Sequence, residues 1–156
     1  EIVPSMSEAI PTDRLPVSWY QGTLSGTGRR IALVEPTNIA TNTGCLSIIA
    51  TRNAPSGGYS PANHKTWVAS AAACNHATLR GMAYNASLID AAFDPQINPT
   101  THVYTDLVPA LIFAVNTNAS DVVNASWSYT NNVSSELILS IFRLDMPGAI
   151  KLIPIN

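Results

Sequence analysis

Apolar residues in this chain fall in short unbroken runs. Arg30-Ile31-Ala32-Leu33-Val34 ends at Glu35-Pro36, residues 87–93 read Ser-Leu-Ile-Asp-Ala-Ala-Phe, 121–126 read Asp-Val-Val-Asn-Ala-Ser, and 149–155 read Ala-Ile-Lys-Leu-Ile-Pro-Ile. Runs of this length, apolar at successive positions and polar at their ends, predict strands buried on both faces. A weaker strand is expected at 46–50. Three stretches between the runs have helical character. From His64 to Asn75 the residues are mostly small, which lets a helix lie close to a sheet. In 106–115, Leu107, Leu111 and Ala114 recur at helical spacing, with Pro109 in the first turn where proline is tolerated. In 134–144, Ser134 and Ser135 offer caps, Glu136 sits in the first turn, and Pro147-Gly148 ends the segment. Strands alternating with helices predict an α/β fold, a parallel β-sheet with flanking helices. Residues 1–28, rich in Pro, Ser, Thr and Gly, read as an extended N-terminal arm, and 29–156 as the folded portion.

Composition narrows the function classes. Only 12% of the 156 residues are charged, about half the ordinary share. Either Ser, Thr and Asn cover an extracellular surface, or further protein covers part of it. The net charge is −2 and the basic residues cluster nowhere beyond Arg29-Arg30, so neither nucleic acid nor a membrane surface is an expected partner. No apolar run reaches the ~18–20 residues that span a bilayer. Cys45 and Cys74 are too few to close a tetrahedral metal site, and neither metal nor cofactor is expected. Separate buried thiols are favoured over a disulfide. No signal peptide stands at Glu1, which fits a mature product with its leader removed or a cytosolic protein. Sequons at Asn85, Asn118, Asn124 and Asn132, of which roughly two or three are expected by chance in so Asn-, Ser- and Thr-rich a chain, suit the processed, secreted or extracellular glycoprotein.

Candidate chemistry gathers at one place. Sites on parallel sheets form beyond the carboxyl ends of the strands. Glu35, Ser126 and Asn156 lie at such ends, and His64 opens a helix that starts on the same side. A histidine so placed is a candidate general base. His76 and His102 read as surface histidines.

The order of motifs resembles the subtilisin-like serine peptidases. Residues 26–35 (Gly-Thr-Gly-Arg-Arg-Ile-Ala-Leu-Val-Glu) resemble the family's lead into the strand that ends in its catalytic acid, here Glu35 in place of aspartate. Residues 63–69 (Asn-His-Lys-Thr-Trp-Val-Ala) resemble the block around the catalytic histidine, with Lys65 replacing a glycine. Residues 81–88 resemble the segment that leads into the next strand. Residues 121–126 resemble the strand lining the substrate cleft, where Asn124, Ser126, Trp127 and Ser128 would bind peptide, Ser126 and its neighbours by pairing with an extended backbone. Asn156 falls where the family places its oxyanion-hole asparagine.

The resemblance implies a subtilisin-like fold, incomplete on this chain, and a serine endopeptidase acting on peptide or protein substrate. His64, Glu35 and Asn156 would supply base, acid and oxyanion donor. The family's serine motif lies beyond the oxyanion asparagine, so the serine is expected on a second polypeptide or a downstream segment, and the chain alone is expected to be unstable or to aggregate. Lys65 is expected to crowd the backbone or reshape substrate access. The alternatives are a catalytically inactive, peptidase-derived binding module and a small α/β domain with coincidental motif order.

Overall fold

The computed structural model describes residues 24–40, 43–55, 63–78, 80–96, 104–126 and the backbone of 150–152. Five strands form one parallel sheet: β1 (Arg30–Glu35), β2 (Ile48–Arg52), β3 (Ser87–Ala92), β4 (Val122–Asn124) and β5 (Ile150–Leu152), in the order β2-β3-β1-β4-β5. Helix α1 spans Asn63–Ala73 and α2 spans Leu107–Ile112. The α/β fold expected from the alternating runs is the one observed.

Alternation along the strands sets the two faces of the sheet. Ala32 and Val34 of β1 join Ile89 and Ala91 of β3 on one face, where Leu107, Ala110, Leu111 and Ala114 pack over them. Leu33 and Leu88 lie on the opposite face against Ala69 and Ala73 of α1. Both faces are therefore covered, which is why the central strands read as continuous apolar runs. In α1, Lys65, Ala69 and Ala73 are buried at i, i+4 and i+8, while His64 and Trp67 are exposed. Gly81 permits a close approach behind α1. A Cβ there would meet Ala73 N at 2.6 Å and Cys74 N at 2.7 Å.

Several expectations shift in detail. The weak strand predicted at 46–50 is a real edge strand, displaced to Ile48–Arg52. The strand predicted over 121–126 is shorter, Val122–Asn124; just before it the Asp121 carboxylate accepts from Arg30 N at 2.8 Å, and just after it Ser126 bonds to the Asn124 amide. Helix α2 does not continue as an α-helix to Val115. It passes into a π-helical turn, Phe113–Thr117, closed by Asn118 donating from both backbone N and Nδ2 to Phe113 O. The predicted helix at 134–144 and the N-terminal arm up to residue 23 lie outside the described residues.

The cysteines require a correction. Cys45 and Cys74 are joined in a disulfide, not held as separate thiols. Cys74 follows the last residue of α1, and Asn75 N donates to Cys45 O at 2.7 Å, which draws the two backbones together. The Cα atoms stand 4.9 Å apart, within the range a disulfide needs. Sequence spacing carried no sign of this approach.

Candidate active site

Glu35 is the last residue of β1 and His64 the second of α1. Alternation places Glu35 on the same sheet face as Leu33, the face that α1 covers. The helix start therefore sits over the strand end. His64 Nδ1 and Glu35 Oε2 are 2.9 Å apart, with the His64 side chain 54% exposed and that of Glu35 3%. An ionised carboxylate can only accept, so Nδ1 carries a proton; in the neutral imidazole Nε2 then holds the lone pair. That tautomer presents a basic nitrogen away from the acid.

Burial pushes the Glu35 carboxyl above the usual 4.5, opposed by the hydrogen bond and charge of His64 and by the charge of Lys65. Glu35 Oε1 is buried and has no hydrogen-bond partner among the described residues. The carboxylate thus depends on one strong hydrogen bond, to His64.

Lys65 does not reshape the substrate approach or crowd the backbone. Its side chain turns inward, fully buried, and meets Asp90 Oδ1 at 2.6 Å. Asp90 stands opposite Leu33 in the β1–β3 register and so faces α1. Burial pushes the Lys65 ammonium below the usual lysine range, and Asp90 opposes that shift. The sequence hints at a partner for each residue without naming it. Asp90 is the single charge in an apolar strand, and Lys65 the single charge in a helix of small residues; two such positions in packed elements call for each other.

A second pair closes the neighbouring edge. Arg52 Nη2 lies 2.6 Å from Asp106 Oδ1, and Arg52 Nη1 donates to Asp106 Oδ2 at 2.9 Å and to Ala92 O. Asp94 N also donates to Asp106 Oδ2. Burial alone would raise the Asp106 carboxyl, but the bonds from Arg52 and Asp94 outweigh it and hold the group below its usual value.

The remaining predicted residues are distributed as follows. Asn124 ends β4, where it is paired to Leu33 on one side and Leu152 on the other, so its backbone is committed to the sheet. Ser126 lies two residues beyond, half-buried, and exchanges hydrogen bonds with the Asn124 amide at 2.8 and 3.2 Å. It sits beyond the strand ends, as Glu35 does at the end of β1. Trp127, Ser128 and Asn156 lie outside the described residues. His76 is exposed and accepts from Thr78. Among the described residues no three metal-ligating side chains cluster, and no helix is long and apolar enough to cross a membrane.

No protein-family model matches the chain, and no curated protein matches it by sequence. Solved structures do. The CspB protease of Clostridium perfringens superposes with a TM-score of 0.58 at 16% identity, over 92% of this chain and 39% of that one. MycP1 with its N-terminal propeptide removed gives 0.56 at 16% identity, over 90% of this chain and 47% of that one. The psychrophilic subtilisin-like protease Apa1, from the Antarctic psychrotroph Pseudoalteromonas sp. AS-11, gives 0.50 at 21% identity, over 84% and 30%. The chain therefore has a subtilisin-like fold and spans less than half the length of each of these proteins.

Proposed function

We propose that the chain carries the acid–base half of a subtilisin-like serine endopeptidase site. Glu35 fixes the tautomer and direction of His64, and His64 Nε2 takes the proton of a serine supplied by a second polypeptide or a further segment. The same imidazole then returns that proton to the leaving amine of the substrate. The observation that carries this reading is the 2.9 Å contact between a buried carboxylate and the Nδ1 of a half-exposed histidine, at the carboxyl edge of a parallel sheet. Glutamate can perform the orienting role of aspartate, since one added methylene changes reach and not charge. Asn156 would complete the oxyanion hole. Ser126, with Asn124, Trp127 and Ser128, would line the peptide cleft.

The disulfide supports a secreted or extracellular location, because such bonds persist in oxidising compartments. Sequon residue Asn85 is exposed, in the turn before β3, and is the best-placed glycan acceptor of the sequons within the described residues.

The test is fluorophosphonate labelling of the assembled protein, chain plus serine-bearing segment. Labelling on the partner segment that is lost in His64→Ala is the expected result. No labelling of the intact assembly would favour a peptidase-derived binding module.

A further inference from the structure

Lys65 and Asp90 take no direct part in that chemistry, yet they are tied to both of its members. Lys65 Nζ donates to Thr37 O at 2.9 Å, in addition to its ion pair with Asp90. Asp90 Oδ2 accepts from Ile39 N at 3.0 Å and from Asn38 Nδ2 at 3.1 Å. Thr66 Oγ1 accepts from Ala40 N at 2.9 Å. Each residue from 37 to 40 is therefore held by one of the two residues that follow His64, or by Asp90. This run begins two residues after Glu35.

A buried ion pair is a poor device for stability alone. Its desolvation cancels much of the attraction, and packed apolar side chains of similar volume do as well or better. What an apolar pair cannot do is donate to Thr37 O and accept from Ile39 N. Those bonds fix the chain leaving β1 relative to the first turn of α1. A glutamate has one more side-chain torsion than an aspartate, so its carboxylate can reach more positions. Holding the backbone on both sides narrows that set.

We propose that Lys65 and Asp90 are positioning residues: they lock the turn after Glu35 to the helix that bears His64, and so set the Glu35–His64 hydrogen bond. This rests on reading Glu35 and His64 as an acid–base couple, but the hydrogen bond can be observed without turnover.

The experiment uses the assembled protein with isotopically labelled histidine. The Nδ1 proton and the two ring nitrogens of His64 are assigned by their loss in His64→Gln. Lys65→Met alone leaves Asp90 buried without its partner and destabilises the fold, so the deciding variant is the apolar pair Lys65→Met/Asp90→Leu. Expected for that double variant is a folded protein whose His64 Nδ1 proton is lost to exchange and whose ring nitrogens report mixed tautomers. Its labelling rate falls about 10- to 100-fold, as misplacement by an ångström or less should produce. A folded double variant with the wild-type Nδ1 proton, tautomer and labelling rate overturns the proposal. Failure of the peptidase reading has a different signature: the wild type does not label, while the Nδ1 proton is present and is still lost in the double variant. That result upholds the positioning role and removes the catalytic one.

Discussion

His64 and Lys65 are adjacent on one helix, and each meets a carboxylate on the same face of the sheet. The two pairs are built in opposite ways. Lys65 and Asp90 are both sealed from solvent, and Asp90 Oδ2 is saturated by Asn38 and Ile39. Glu35 is buried beneath a histidine that is half in solvent, and its second oxygen has no described partner. The helix phase produces the difference. One residue step rotates the side chain by about 100°, turning Lys65 into the core stripe with Ala69 and Ala73 and leaving His64 at the rim. The sealed pair holds backbone; the open pair keeps a basic nitrogen available.

The comparison can be broken from either side. The largest effect is expected at the open pair and on activity. His64→Ala should lower labelling or peptide hydrolysis by about 10⁴-fold or more, and its denaturation midpoint in urea should fall as well, because the buried Glu35 carboxyl loses its hydrogen-bond partner. Next comes the sealed pair, where the effect is on stability. Lys65→Met should cost about 3–5 kcal/mol by leaving Asp90 uncompensated, and Asp90→Leu added to it should restore part of that loss, the remainder being the bonds to Thr37 O and Ile39 N that no apolar pair makes. Equilibrium unfolding of the two variants reads this directly.

The disulfide sharpens the comparison by acting at the other end of α1. The bridge closes a separation of 29 residues. Replacing both cysteines with serine should cost roughly 3–4 kcal/mol on the chain-entropy view, yet leave the Glu35–His64 hydrogen bond in place, as the His64 Nδ1 proton would report. The pH dependence of Glu35 is a smaller effect. Its carboxyl is raised in the folded state, so the folded protein binds the proton more tightly than the unfolded one. The stability that this gives is complete below the unfolded value near 4.5 and is lost as pH rises through the folded value. Glu35→Gln should remove that downward slope in unfolding free energy measured from pH 4 to 8. The smallest effect lies away from both pairs. Ala119 has φ 48°, in the turn before β4, and Ala119→Gly should raise stability by up to about 1 kcal/mol in the same assay.

Much of this was legible in the chain because burial writes itself into composition. A strand covered on both faces must be apolar throughout, so β1 and β3 were readable almost to the residue, and Glu35 stood out as the acid closing one of them. His64 was readable because a polar loop ends there and a helix of small residues begins. What pattern did not convey was direction. Lys65 reads as a side chain that crowds the backbone or reshapes substrate access until the helix phase shows it beside Ala69 and Ala73. Asp90 could be paired only once the β1–β3 register set it opposite Leu33. The cysteine pairing and the Arg52–Asp106 clamp depend on how loops of irregular length return, which no periodicity encodes.

If Glu35 orients His64 for chemistry, the rate of fluorophosphonate labelling of the assembled protein must differ between wild type and Glu35→Gln. An amide in place of the carboxylate keeps the shape but permits the wrong tautomer. The account predicts a fall of about 10³- to 10⁴-fold with the fold intact. A Glu35→Gln protein that labels as fast as wild type would contradict it.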